Sequence, residues 1–103
     1  MKIIRNSLIP FPGFAAINLF GVLFVRRNTE ITERLLNHER IHTAQMIELG
    51  FIFFYIIYVI EWVGRLFLPG NAYRNISFEK EARFYASDRY YLDWRKRYAM
   101  WRF

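Results

Sequence analysis

Ten consecutive residues, Phe51 to Ile60, carry no polar group other than two tyrosine hydroxyls, and such a run leaves a small chain few ways to fold. Its side chains need cover from the rest of the protein, from a partner or from lipid, because each Å² of apolar surface left in water costs roughly 25 cal/mol. The run continues through Glu61, Trp62 and Arg65 to Leu68-Pro69-Gly70, so it reads as a helix that starts after Gly50 and stops at a Pro-Gly pair. Its 12-residue apolar centre, counted from Leu49, is short for a membrane span. Glu61 and Arg65 stand four apart and suit an ion pair, while Trp62 suits an interface.

The 103 residues form a single domain, 1–103, with room for three or four elements and one site. A hydrophobic fraction of 54% and an aromatic fraction of 20% exceed what a small soluble domain easily hides, which points to a membrane surface, an oligomer or a partner subunit. The absence of cysteine rules out disulfides and thiolate metal sites, so any metal must be held by His, Asp or Glu. A formal charge of +6 suits an anionic surface. In so apolar a chain lipid headgroups fit that charge better than nucleic acid, and no nucleic-acid partner is expected. Lys2 and Arg5 before an apolar stretch resemble a signal peptide, but no small-residue cleavage pattern follows, and the segment reads as part of the mature protein.

Ser7 to Val25 is free of charge, yet Pro10, Pro12, Gly13, Asn18 and Gly21 interrupt any regular helix, so a β-hairpin suits it better than a transmembrane segment. Ile17 to Val25 is the strand, preceded by a Pro/Gly turn. Asn28-Thr29 offers an N-cap for a first helix from about Glu30 to Leu49-Gly50, with Glu30 and Glu33 in its first turn. Asn71 to Ile76 reads as a loop, and Ser77 as the N-cap of a third helix that runs to about Arg97. The end of that helix interleaves cations and aromatic rings, as a solvated or membrane-interface helix does. The fold class is therefore mainly α: an N-terminal β-hairpin followed by about three helices.

His38-Glu39-Arg40-Ile41-His42 is an H-E-x-x-H pattern inside the first of these helices. Residues four apart share a helix face, so His38 and His42 can reach one zinc ion, and Glu39 beside them suits a catalytic base that activates water for attack on a carbonyl. These are the only two histidines of the chain, so a third ligand must be a carboxylate. Glu79, at the start of the third helix, is the choice. Glu81 is an alternative, and Glu48 and Glu61 are weaker ones. Gln45 lies one turn after His42, placed to hydrogen-bond a ligand or a substrate carbonyl. Tyr73 and Arg74 are candidates for an oxyanion donor.

The H-E-x-x-H helix, a long apolar helix and then Glu79-Lys80-Glu81-Ala82 opening another helix resemble the membrane-embedded gluzincins, of both the BlaR/MecR antirepressor type and the HtpX type. In those families the third ligand is the first Glu of E-x-x-[AC]-D, which falls here on Glu79, with Ala82 at the small-residue place and Arg83 where the Asp would stand. The part from Leu35 to Gln45 also resembles small H-E-x-x-H-x-x-Q proteins in which a strand precedes the helix. The resemblance implies a zinc-dependent peptidase acting on peptide or protein, associated with a membrane, with the bacterial inner membrane as the expected location. The alternative is a zinc-binding but catalytically inert membrane subunit or adaptor. For Glu79 to share a metal with His42 the chain must turn back. A straight helix from His42 to Leu68 would be about 39 Å long, beyond a hydrocarbon core of about 30 Å, so a bend is expected near Gly50.

Overall fold

The structure is a computed structural model, and it describes residues 2–6, 16–27 and 29–102. Three strands, β1 (Lys2–Asn6), β2 (Ala16–Leu19) and β3 (Val22–Arg26), precede the helices α1 (Glu33–Leu49), α2 (Phe51–Leu66), α3 (Ala72–Asn75), α4 (Ser77–Tyr85) and α5 (Tyr91–Trp94) and a 3₁₀ turn at Ala99–Trp101. The fold is mainly α with an N-terminal β region, as the residue pattern indicates. Of the hairpin expected over Ser7 to Val25, residues 7–15 with their prolines lie outside the described residues.

Ile17 to Val25 proves to be two strands rather than one. They are antiparallel, with Leu19 opposite Val22 and Phe20-Gly21 as the turn. Both turn residues have positive φ, 53° and 86°, which is what a two-residue turn requires to match the twist of its strands. Phe20 adopts this conformation without being glycine. Its N–H donates to the Tyr55 hydroxyl at 2.9 Å, and its ring packs on the Tyr55 ring at 5.1 Å. β1 joins the other side of β3 in parallel, giving the order β1-β3-β2, so β2 is a sheet edge among the described residues. The buried Asn18 docks this edge onto α1: its amide donates to the Glu39 carbonyl and to Thr43 Oγ1, both at 2.9 Å.

α1 starts at Glu33 rather than Glu30, because the Thr32 hydroxyl accepts the Leu35 N–H at 3.1 Å and closes the helix end there. It stops at Gly50, whose φ of +79° belongs to glycine, and α2 leaves at 109° to α1. The bend is thus present, although α2 crosses back obliquely instead of running antiparallel. Among the described residues no single helix is long and apolar enough to cross a membrane; α1 and α2 pass such a test only as a bent pair.

α2 ends at Leu66, and the expected loop after it contains the short α3. Ser77 is not the cap but the first residue of α4, following Ile76. Its N–H and hydroxyl donate to the two oxygens of Glu61, at 3.1 and 2.6 Å, so a carboxylate from α2 caps α4. The third helix does not reach Arg97. It ends at Tyr85, where the amide of the buried Asn37 on α1 donates to the carbonyls of Tyr85, Ala86 and Asp88 at 3.1, 3.0 and 2.8 Å. That side chain satisfies carbonyls a continuing helix would have used. The main core lies between α1, α2, α4 and the C-terminal turn, around Met46, Phe54, Ile76, Phe78 and Met100.

Candidate metal centre

Because α1 is regular through its middle, His38 and His42 stack on one face with ring centroids 4.9 Å apart. α4 packs against that face, and the Glu61 cap fixes its first turn, from which Glu79 points back at both rings. His38 Nε2 lies 3.4 Å from Glu79 Oε1, and His42 Nε2 lies 3.2 Å from Glu79 Oε2. One ligand atom from each of the three residues falls within 4.8 Å of the others. In a tetrahedral zinc site with bonds of about 2.0–2.1 Å, neighbouring ligand atoms stand about 3.3–3.4 Å apart. The two N···O separations, each to a different oxygen of Glu79, are close to that length. Two imidazoles and one carboxylate are also the donor set of an open zinc centre, with a fourth position left for water or substrate. The residues present fit the ion.

α2 contributes what the sequence reading left out. Tyr58 donates its hydroxyl to Glu79 Oε2 at 2.7 Å, the oxygen that also faces His42, and so orients that carboxylate. The signal for it was available: a hydroxyl in an otherwise apolar run requires a partner once the helix packs. The other hydroxyl of the run, on Tyr55, donates to the Asn18 carbonyl at 3.1 Å and holds the hairpin turn.

A cavity of about 610 Å³ opens beside these groups. Glu39, His42, Glu79, Tyr58 and Tyr73 border it on one side and the edge strand β2 borders it on the other. Glu39 is buried there, and burial pushes its carboxyl above the usual range although His42 and His38 pull the other way. Burial also opposes charge on His42, but Glu79 and Glu39 outweigh it and lift the imidazolium to about 9. Glu79 is buried too, but His42 and His38, with the Tyr58 hydrogen bond, hold it well below the usual carboxylate range. Burial and the Glu79 charge keep the Tyr73 phenol protonated, and hence a donor.

The remaining candidates fall into distinct places. Gln45 meets His42 directly, its Oε1 2.8 Å from His42 Nδ1. Glu81 is turned away from the histidines and fully buried against Tyr91 and Arg95. Glu48 also accepts from Arg95, and Glu61 is the α4 cap. Tyr73 borders the cavity, whereas Arg74 is exposed and is not among the residues that line it. Comparisons with protein-family models, with curated proteins and with solved structures find no match to this chain.

Proposed function

We propose that this protein is a small zinc-dependent peptidase of gluzincin type, with His38, His42 and Glu79 as metal ligands and Glu39 as the general base. The observation that carries the reading is the convergence of three ligand atoms within 4.8 Å, with two of their residues, His42 and Glu79, lining one cavity together with the buried carboxylate of Glu39. Zinc held there supplies Lewis-acid polarisation of a carbonyl and a lowered pKa for water. Glu39 takes a proton from the attacking water as its oxygen bonds to the carbonyl carbon. It returns that proton to the amine as the C–N bond breaks. Tyr73, kept protonated at the cavity wall, is the candidate donor to the carbonyl oxygen.

The cavity also argues for a peptide rather than a compact small molecule. Ala16–Leu19, an edge strand among the described residues, lines it. An extended chain can add to such an edge through main-chain hydrogen bonds, leaving side chains to sit against Phe54 and Trp62.

Glu39→Gln separates base from ligand. The substituted protein is expected to keep its zinc and to lose hydrolysis of a fluorogenic peptide library by roughly 10²–10⁴-fold. Loss of zinc as complete as in His38→Ala, or hydrolysis that survives, would overturn the assignment.

A further inference from the structure

Gln45 has 0% exposure and lies one turn after His42 on α1. Its Nε2 stands 3.0 Å from the Phe78 carbonyl and 3.0 Å from Glu81 Oε1, two groups that only accept. The amide NH₂ must therefore face them, which turns the amide oxygen toward His42 Nδ1 at 2.8 Å. A carbonyl oxygen cannot donate. In the neutral imidazole that a cation requires, the proton is thus fixed on Nδ1, and Nε2 presents its lone pair toward Glu79.

Glu81 is held in turn. It accepts the Tyr91 hydroxyl at 2.7 Å and the Arg95 guanidinium, with Nη2 to Oε1 at 3.1 Å and Nε to the other oxygen. Arg95 extends the chain to both oxygens of Glu48, at 3.2 and 3.3 Å, and Glu48 accepts the Tyr98 N–H at 2.9 Å. The side chains of Arg95, Glu81 and Glu48 are 7%, 0% and 10% exposed. Taking three charges so far out of water costs several kcal/mol for each ion, and neither Arg95 nor Glu81 borders the cavity. Glu81 holds the Gln45 amide, and Arg95 holds Glu81.

We propose that Gln45, locked by Glu81 and Arg95, is the positioning residue of the metal centre. It fixes the tautomer and ring plane of His42, and through the Phe78 carbonyl it holds the turn of α4 that delivers the adjacent Glu79. The proposal deepens the metal-centre reading above and rests on it. It also ties metal affinity to the C-terminal segment, because Arg95 and Tyr98 close onto Glu48 from that end of the chain.

The test is zinc affinity by competition with a chromophoric chelator, together with the d–d absorption of the cobalt(II)-loaded protein, for the natural chain, Gln45→Met and Arg95→Lys. Gln45→Met is expected to weaken zinc binding by roughly 10- to 100-fold and to change the cobalt spectrum, with helical circular dichroism retained. Arg95→Lys keeps the charge but lacks the planar fork that spans two carboxylates, so it should shift affinity and spectrum in the same direction by a smaller factor. It serves as the deciding variant if Gln45→Met does not fold. A folded variant that binds zinc within about twofold of the natural chain, with an unchanged cobalt spectrum, overturns the positioning role and leaves the metal centre standing. A natural chain that takes up neither metal removes the centre itself, and this role with it.

Discussion

Among individual residues, His42 carries the sharpest consequence, because the imidazole that pairs with Glu79 is the one that would have to lose its proton to a metal in the proposed centre. Its pKa is raised from an ordinary 6.5 to about 9 in the metal-free fold. The stabilisation from its pairing with Glu79 is therefore fully present below pH 6.5 and is lost as pH rises through about 9. Zinc must displace that proton. The expected outcome is that the unfolding temperature of the metal-free protein falls between pH 6.5 and 9, while zinc affinity climbs over the same interval and levels off above it. Thermal melts with chelator and competition titrations at stepped pH check both. An affinity that does not change with pH between 6.5 and 9 would show that zinc displaces no proton from His42 in that range. Glu79 sets the acid side: its depressed pKa contributes stability that is present above the ordinary carboxylate value and is lost as pH falls below it.

At the level of the element, the bend at Gly50 decides whether Tyr58 meets Glu79 at all, since α2 leaves that residue at 109° to α1. A Cβ at position 50 would meet only the Phe53 ring, at 3.9 Å, so the requirement is for φ of +79° and not for space. Gly50→Ala is expected to cost about 1–3 kcal/mol of stability through backbone strain. Chemical denaturation measures it, and a loss within experimental error would mean that the turn is not strained. This element was legible in the sequence because its causes are local: a glycine, a uniform apolar run and an H-E-x-x-H spacing that only a helix can use. The same holds for His38, His42 and Glu79, which the structure brings together as the motif spacing and the α4 position imply. The break of the third helix at Tyr85 was not legible, because it depends on Asn37, 48 residues away along the chain. Nor was the parallel strand β1, since Lys2–Asn6 mixes charge with two isoleucines and gains its place only from β3. Arg95 looks like an ordinary residue of a basic tail until tertiary packing buries its side chain.

Over the whole molecule, the inner side of α2 supplies Phe54, Tyr55 and Tyr58 to the core and the cavity, while its outer side has no counterpart among the described residues. Ile52, Phe53, Ile56, Val59, Ile60 and Val63 stand 45–67% exposed, and Phe67 beyond the helix end is 85% exposed. So continuous an apolar face on a chain of net charge +6 fits an anionic lipid surface, and we propose that this side of α2 rests on one. Flotation with vesicles containing phosphatidylglycerol should carry the protein upward, and Phe53→Asp with Ile60→Asp should leave it at the bottom. Equal flotation of the natural and doubly substituted proteins would place the lipid contact elsewhere. The peptide chemistry proposed above presupposes an ion between α1 and α4. The most direct measurement is the metal content of protein purified without added metal, by elemental analysis and native mass spectrometry, for the natural chain and for His42→Ala. One zinc per natural chain, with stoichiometric metal lost from a folded His42→Ala, is the expected result. Full retention of zinc by folded His42→Ala, or a natural chain free of metal even after zinc is supplied, would contradict it.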